Sequence, residues 1–140
     1  MLVIALNKTL QIYLQNELNQ VETVLFKQQE SGYLQLHDEF EKIWKDILWS
    51  KINQLEDSKI LLIVGQNATF TNSRVLFIWL NSLATFQPNK FQLAKHLENK
   101  IDFDQNPDEL LTNLALLKHR VEWDQLLNSE IYSREPTINL

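Results

Sequence analysis

Short apolar segments that alternate with amphipathic helical patterns predict an α/β fold for this chain of 140 residues. Three observations lead to this prediction. Three strand-like runs open the chain, a long stripe of apolar residues at helical spacing follows them, and another buried run leads directly into an apolar helix. The predicted element order is βββαβαβα, which gives a mixed five-stranded sheet with helices packed on it.

The N-terminal part has the pattern of a three-stranded meander. Leu2–Leu6 is a continuous apolar run, typical of a buried strand, and Gln11–Gln15 alternates polar and apolar residues. Val21–Phe26 is rich in β-branched and apolar residues, which favours a third strand. The polar segment Asn16–Gln20 between the last two runs predicts the turn that joins them.

An amphipathic helix is predicted next, over about Tyr33–Gln54. Its apolar side chains recur at steps of three and four, and they are Leu36, Phe40, Ile43, Trp44, Ile47, Leu48, Ile52 and Leu55. Side chains at this spacing lie on one face of a helix, so they form a continuous stripe that can pack on the sheet.

The segment after this helix predicts a strand that runs into a second helix. Ile60–Val64 is a short apolar run, and the polar loop Gly65–Thr69 follows it. Thr69 or Thr71 is a suitable N-cap, because a threonine hydroxyl can accept a hydrogen bond from a backbone N–H of the first helical turn. The second helix is then expected to run to about Phe86.

The C-terminal part predicts one further strand and one further helix. We expect the fifth strand near Phe91–Ala94, with little regular structure beyond it up to residue 106. Asn106 is a suitable cap and Pro107 a suitable first residue for a third helix. Val121–Asn128 either continues this helix or forms a second short one, and Ile131–Pro136 is expected to be extended.

The length and composition indicate one folded domain. Residues 1–140 form this single domain, in which 1–103 are the predicted core and 104–140 a C-terminal helix and tail. Apolar residues make up 44% of the chain and charged residues 22%, as in an ordinary globular protein. The net charge of −5 argues against a protein that grips a nucleic-acid backbone by itself, because such binding depends on clustered Lys and Arg.

Cysteine and glycine usage argues against several kinds of site. The chain has no Cys, so it has no disulfide, thiolate metal site or cysteine nucleophile. Its two glycines, Gly32 and Gly65, are too few for a phosphate-cradling loop. No apolar run approaches the roughly 18 residues of a membrane helix, and the N-terminus lacks the basic region of a signal peptide. We therefore expect a cytoplasmic protein with no membrane partner.

The order of elements is that of the ribonuclease H-like fold, which also forms one half of the actin and sugar-kinase superfamily. Nucleases of that fold carry a metal-binding acidic residue on the first strand, whereas Asn7 follows that strand here. A neutral amide is a weak metal ligand beside a carboxylate. Two-metal catalysis is therefore not expected.

Two other possible sites have weak patterns. Asp102, Asp104 and Asn106 resemble the start of a calcium loop, but Pro107 occupies the position that requires Gly. The three histidines are too scattered for a spacing argument, and they are His37, His96 and His119. We predict no catalytic, cofactor-binding or metal-binding residue and no cofactor.

Apolar side chains surround most of the second helix, which is more than one sheet face can cover. The first helix also carries Trp49 away from its main stripe. Large exposed aromatic side chains are typical anchors of protein–protein interfaces. One interpretation is that the other helices cover these side chains within the monomer. We expect instead an interface that includes Trp44, Leu48, Trp49, Ile52, Val75, Trp79 and Leu83.

The loop and second helix resemble the signature of the TsaB family, which acts in threonylcarbamoyladenosine biosynthesis on tRNA. That signature reads roughly GPGSFTGLR, and the corresponding stretch here is Gln66–Arg74, QNATFTNSR. Phe70, Thr71 and Arg74 match the signature, and Thr69 stands in the place of its Ser. The resemblance therefore rests first on these loop residues.

Both ends of the chain resemble the family in the same order. The family opens with a strand followed by Asp-Thr-Ser, which is similar to Leu2–Thr9 with Asn7 in the place of Asp. It ends with a helix near a Pro and a tail such as YLREP, which are similar to Pro107–Leu117 and Tyr132–Pro136. The resemblance covers about two-thirds of this chain, and family members are typically longer, with a second domain of similar fold.

The resemblance implies a non-catalytic subunit. TsaB proteins serve as partners of the catalytic subunit TsaD, alongside the ATPase TsaE, and contact TsaD largely through the first two helices. This chain would then form a heterodimer with a TsaD-type subunit and contact tRNA only indirectly. Gln66, Ala68 and Asn72 replace the glycines of the signature, so we expect no phosphate contact from this loop.

Two other functions remain open at this point. The first is a homodimer that buries the same helices against a second copy by two-fold symmetry. The second is a small nucleotide or phosphate hydrolase that uses the loop Gln66–Ser73, because backbone N–H groups at a helix N-terminus can bind anions.

Overall fold

A five-stranded mixed sheet forms the centre of the computed structural model, which describes residues 1–28, 36–39 and 41–127. The strands are β1 Leu2–Leu6, β2 Leu10–Gln15, β3 Val21–Lys27, β4 Lys59–Gly65 and β5 Gln92–Glu98. Their order across the sheet is β3-β2-β1-β4-β5. β1, β4 and β5 are parallel neighbours, whereas β2 is antiparallel to both β1 and β3. The carboxyl ends of β1, β4 and β5 therefore lie at the same end of the sheet.

The middle strand, β1, is buried along its whole length. Ile4 pairs with Ile12 of β2 on one side and with Leu62 of β4 on the other, and all three are fully buried. Alternate side chains of a strand point to opposite faces, so a strand covered on both faces must be apolar at every position. This explains the continuous run LVIAL.

In the described residues, three helices pack on the sheet. After a 3₁₀ turn, Leu36–Glu39, helix α1 consists of a π-helical segment, Glu41–Leu48, and an α-helical turn, Trp49–Ile52. The other two helices are α2 Phe70–Phe86 and α3 Pro107–His119. None of the helices in the described part of the chain has the length and apolar character needed to cross a membrane.

The two faces of the sheet carry separate cores. The larger core joins one sheet face to α1 and α2, and its buried members include Ile4, Leu62, Ile43, Leu48, Leu76 and Leu80. The smaller core joins the opposite face to α3, and its buried members include Val3, Ile63, Leu110, Leu114 and Leu117. Complete burial of one such aliphatic side chain contributes about 1.5–3 kcal/mol. The sheet is thus covered on both sides, and the predicted C-terminal helix belongs to the same folded unit.

Most predicted elements are present with bounds within two residues. The order of strands and helices is as expected, and the fold is α/β with a mixed five-stranded sheet. Thr69 caps α2, since its hydroxyl accepts a hydrogen bond from Asn72 N at 3.2 Å. The predicted helix start at Tyr33 and the segment Ile131–Pro136 lie outside the described residues.

Helix α1 differs in type from the prediction. In the described part it begins at Glu41 and ends at Ile52, and its first eight residues form a π-helix. Ile43 and Leu48 are both buried at a spacing of five, which suits the wider turn of a π-helix. The apolar stripe predicted the buried face correctly, but its steps did not distinguish the two helix types.

Strand β5 is longer than predicted, because it continues through Lys95 to Glu98. This half contains polar residues, and their side chains are partly or fully buried at His96 and Glu98. A buried polar pair breaks the apolar pattern by which a strand is recognised. The prediction of little regular structure beyond Ala94 was therefore wrong for residues 95–98.

The segment 121–127 is not helical, contrary to prediction. Asp124 N donates to Leu93 O at 2.9 Å, and Leu93 N donates to Asp124 O at 2.6 Å, which pairs this segment with the outer edge of β5. The Asn81 amide then bonds both backbone groups of Leu127, at 2.8 and 3.2 Å. Tertiary hydrogen bonds to β5 and α2 take the place of a helix here.

The start of α3 agrees with the prediction in position but not in its cap. Pro107 is the first helical residue, whereas the Asn106 side chain makes no capping hydrogen bond. Asp102 provides the turn instead, because its Oδ1 accepts from Gln105 N at 3.4 Å and its backbone O accepts from Asn106 N at 3.2 Å.

Candidate functional site

The loops that follow β1, β4 and β5 enclose a cleft of about 620 Å³. Residues 7–9, 66–69 and 99–105 provide most of its walls. Open α/β sheets commonly bind ligands outside the carboxyl ends of their strands, where such loops meet. The neutral polar residues that line the cleft include Asn7, Thr9, Gln66, Asn67, Thr69 and Asn99.

Asn7 lies at the base of the cleft and is 5% exposed. Its Oδ1 accepts a hydrogen bond from Asn67 N at 2.7 Å, which ties the loop after β1 to the loop after β4. A Cβ on Gly65 would lie 2.5 Å from Asn7 Cγ, which is closer than real contacts permit. The glycine is therefore required here for the close approach of the Asn7 amide.

Asp104 joins the end of the cleft to the turn after β1. One carboxylate oxygen accepts from Thr9 N at 2.9 Å and from Thr9 Oγ1 at 2.8 Å, and the other accepts from Lys8 N at 3.3 Å. Three donors from one turn hold this carboxylate. These three hydrogen bonds are most of those that the Asp104 carboxylate can accept.

A buried chain of polar groups continues from Thr9 under α3. Gln11 is fully buried, and its Nε2 donates to Thr9 Oγ1 at 3.0 Å and to Phe103 O at 2.7 Å. Its Oε1 accepts from Tyr13 Oη at 2.5 Å. Burial raises the pKa of Tyr13 above its ordinary value, and the charge of Asp108 raises this pKa further.

The N-terminus of α2 is occupied by contacts within the chain. Ser73 Oγ donates to Thr69 O at 2.9 Å, and Ser73 N donates to the same oxygen at 3.0 Å. Asn72 is buried, and its Oδ1 accepts from Leu36 N at 3.1 Å. Of the four predicted signature residues, Thr69 is thus the cap, Phe70 is half-buried, and Thr71 and Arg74 are exposed.

Glu98 is a buried carboxylate at the end of β5. Burial acts to raise its pKa, but hydrogen bonds from the backbone N–H groups of Lys100 and Ile101 and from His96 outweigh this, so the pKa lies below its ordinary value. Lys100 N lies 2.8 Å from Glu98 Oε1, and His96 Nε2 lies 3.3 Å from Oε2. The carboxylate thus fixes the loop that forms one wall of the cleft.

The possible metal ligands do not come together. Within residues 1–28, 36–39 and 41–127, no three His, Asp or Glu side chains are grouped as a metal site requires. His96 pairs with Glu98, and His119 is exposed at the end of α3. Asp102 takes part in a local turn, and Asp104 accepts from Lys8 and Thr9 of the turn after β1. The His37 side chain lies outside the described part of the chain.

Four of the seven residues predicted to contact a partner lie in the core of the chain itself. They are Leu48, Ile52, Trp79 and Leu83, with exposures from 0 to 6%. They pack in the core between α1, α2 and the sheet. For these four, the interpretation that the chain covers its own apolar side chains accounts for their burial.

The other three predicted contact residues reach the surface to different degrees. Trp49 on α1 is 41% exposed, whereas Trp44 and Val75 are half-buried. The Trp44 ring lies 5.8 Å from the Trp79 ring, so an aromatic contact joins α1 to α2. Ile78 on α2 is 45% exposed and was not among the predicted residues. We call Trp44, Trp49, Val75 and Ile78 the α1–α2 surface.

Sequence reasoning singled out Asn7 and the loop after β4 but missed most of the cleft. Residues 99–105 were expected to be irregular, and nothing in their spacing indicates that they meet the loops after β1 and β4. Gly65 directly after an apolar strand is a usable signal, because a lone glycine at a strand end often marks a close backbone approach. Gln11 and Glu98 carry no such signal, since polar residues usually lie at the surface.

Comparisons with known protein families, with curated protein sequences and with solved structures find no match to this chain. The resemblance to the TsaB family therefore rests on the short motifs quoted above and stays a prediction.

Proposed function

We propose that this chain is a non-catalytic, TsaB-like subunit that binds and stabilises a TsaD-type catalytic subunit in the threonylcarbamoyladenosine modification of tRNA. The observation that supports this most is the α1–α2 surface. Trp49 and Ile78 remain 41% and 45% exposed although α1 and α2 pack tightly on the sheet. Large apolar side chains left over after the core is complete are typical anchors for a partner.

The arrangement of strands supports a ribonuclease H-like fold as part of the proposal. The order β3-β2-β1-β4-β5, with β2 antiparallel to its neighbours, arises from a meander followed by two helical crossovers. The resemblance to the TsaB family implies such a fold and implies contact through its first two helices. These are the helices that carry the α1–α2 surface.

Asn7 supports a role other than nuclease chemistry. It occupies the end of β1, where the acidic residue of ribonuclease H-like nucleases would stand, and its amide oxygen holds Asn67 N. The group at this position thus joins two loops. In the proposed assembly the transfer of a threonylcarbamoyl group belongs to the TsaD-type partner, with a TsaE-type ATPase as a possible third component.

The proposed compartment and partners of the protein follow from this role. The complex is a cytoplasmic heterodimer, and tRNA contacts this chain only through the partner. The net charge of −5 supports this, because a surface of that sign does not attract a phosphate backbone.

Size-exclusion chromatography with mass detection tests the proposal directly. The chain is mixed with the TsaD-type protein of the same organism, and each protein is also run alone. A complex with the summed mass of one copy of each is the expected result. Two separate peaks at micromolar concentration, with both proteins folded by circular dichroism, would contradict the proposal.

The run of the chain alone also tests the homodimer, and a thermal melt tests the hydrolase. A homodimer could bury the α1–α2 surface against its own copy, and the mass of the chain alone would then be twice that of one chain. A nucleotide or phosphate hydrolase at Gln66–Ser73 has less support, because Thr69, Asn72 and Ser73 already bond within the chain. Magnesium and nucleotide should accordingly leave its melting temperature unchanged.

A further inference from the structure

We propose that the cleft at the carboxyl ends of β1, β4 and β5 binds a small uncharged ligand rich in hydroxyl groups, either a ribonucleoside or a free sugar. This inference goes beyond the proposed function, because binding a protein through the α1–α2 surface does not require an occupied cleft. It rests on the size of the cleft, on one buried amide and on the balance of charge around it.

The cleft has the volume and position of a small-molecule site. Its volume of about 620 Å³ falls within the range of about 300–1,000 Å³ that such sites occupy. It lies where three loops from parallel strands converge, which is the usual place for a ligand in an open α/β sheet. A nucleoside or a sugar ring fits this space.

The Asn7 amide presents a hydrogen-bond donor to this space. Its Oδ1 is identified by the hydrogen bond from Asn67 N, because a backbone N–H must meet an oxygen, so Nδ2 is the other atom. The hydrogen bond that the Asn7 side chain makes with the described residues is the one through Oδ1, and Asn7 lines the cleft. Nδ2 is not among the described buried atoms that lack a partner, so it is open to the cleft, where a ligand oxygen can accept its hydrogen bond.

The position of this donor is fixed before any ligand arrives. The amide lies against Gly65, in the space that a side chain there would fill, since a Cβ would meet Asn7 Nδ2 at 2.9 Å and Cγ at 2.5 Å. The hydrogen bond from Asn67 N holds the amide from the other side. A rigid donor loses little conformational entropy on binding, which favours affinity.

The charges around the cleft favour an uncharged ligand over an anion. Asp102 and Asp104 both line the cleft, and their carboxylates would repel a phosphate or carboxylate group. The exposed Lys8 and Lys100 offset these two charges, so the cleft has no net positive charge to attract an anion. The remaining lining is mainly amide and hydroxyl groups, which offer donors and acceptors together, as a ligand hydroxyl requires.

Titration of the ¹⁵N-labelled full chain, followed by heteronuclear NMR, tests the inference with four separate probes: adenosine, ribose, glucose and inorganic phosphate. Saturable shifts of the Asn7 and Asn67 resonances with adenosine, ribose or glucose, with dissociation constants of about 1 mM or below, are expected. Shifts with adenosine alone identify a nucleoside, and shifts with ribose or glucose identify a sugar ring. Saturation by phosphate alone, or by none of the four probes, would overturn the inference.

The variant Asn7→Asp removes the proposed donor and adds one negative charge in the cleft. One carboxylate oxygen can still accept from Asn67 N, while the other replaces the Nδ2 donor with an acceptor. We expect at least about a tenfold loss of affinity for the bound probe. Asn53→Asp adds the same charge at an exposed residue outside the cleft and should bind as the wild type does. Equal binding by both variants would contradict the role of Asn7.

A second variant keeps the inference testable if Asn7→Asp does not fold. Gln66→Ala combined with Asn99→Ala truncates two exposed side chains of the cleft without touching the core. Weaker binding of the same probe supports the cleft as the site. Unchanged binding in a folded double variant would place the ligand elsewhere and overturn the inference.

Discussion

On one face of the sheet, α1 and α2 bury an almost wholly apolar core and still leave Trp49 and Ile78 at the surface. On the other face, α3 covers a smaller apolar core beside a buried chain of polar groups that runs from Tyr13 through Gln11 and Thr9 to Asp104. Apolar packing is non-directional, so extra apolar side chains can remain at the surface without disturbing the core. In a buried polar chain, by contrast, each donor and acceptor needs a hydrogen-bond partner.

The two faces differ in how far contacts within the chain explain their exposed and polar residues. The α3 face uses its polar groups to hold residues 99–105 against the sheet, so these groups have a structural role that the contacts explain. Within residues 1–28, 36–39 and 41–127, Trp49 and Ile78 are exposed and do not belong to the buried core. The proposed function assigns this surface to a partner.

The largest effect is expected from Trp79→Ala on the α1–α2 side. Trp79 is 6% exposed and contacts the Trp44 ring, so truncation leaves a cavity in the larger core. We expect a loss of about 3–5 kcal/mol in the free energy of unfolding, measured by urea titration. Trp49→Ala serves as the control, since that side chain is largely outside the core. Equal losses of unfolding free energy in both variants would contradict the assignment of Trp79 to the core and Trp49 to the surface.

A smaller effect is expected from Gln11→Ala on the α3 side. The change leaves Tyr13 Oη without its acceptor and Phe103 O without a donor, both in buried surroundings. We expect a loss of about 1–3 kcal/mol in the free energy of unfolding. Gln66→Ala, at an exposed position of the cleft, should cost much less. A wild-type stability for Gln11→Ala would show that the buried polar chain contributes nothing.

The polar groups on the α3 side should also make stability depend on pH. The pKa of Glu98 is lower in the folded chain, so the stability it contributes is present above about pH 4.5 and is lost as the pH falls through the folded pKa. The pKa of Tyr13 is raised, so its contribution is present below about pH 10 and is lost as the pH rises through the folded pKa.

Two variants separate these contributions in urea titrations across the pH range. Glu98→Gln should flatten the loss of stability in acid and leave the alkaline side as in the wild type. Tyr13→Phe should do the reverse. An acid limb that is equally steep in Glu98→Gln and wild type would show that other carboxylates determine it.

The sequence predicted the apolar architecture well because that architecture follows from spacing. The run LVIAL, the part of the apolar stripe from Ile43 to Ile52, and Thr69 as one of the two suggested caps each depend on neighbours along the chain, and these are confirmed. The α/β class and the strand and helix order follow from these local patterns.

What the sequence could not predict depends on contacts between distant residues. The pairing of Asp124 with Leu93 replaced an expected helix, and the burial of His96 and Glu98 extended β5 beyond an apolar pattern. The difference in burial between two of the tryptophans also depends on contacts between distant residues. Trp79 and Trp49 are both aromatic residues on helices, and only the packing of α1 against α2 shows that the first is buried and the second is exposed.

The most direct test of the central claim is the affinity of the TsaD-type partner for matched surface variants, measured by isothermal titration calorimetry. Trp49→Ala combined with Ile78→Ala truncates the α1–α2 surface, and Leu116→Ala truncates a side chain of α3 that is 50% exposed on the opposite side of the sheet. We expect the double variant and Leu116→Ala to be nearly as stable as the wild type. The double variant should bind the partner at least tenfold more weakly, a loss of about 1.4 kcal/mol or more, whereas Leu116→Ala should bind with unchanged affinity. Equal affinity of all three proteins for the partner would contradict this expectation.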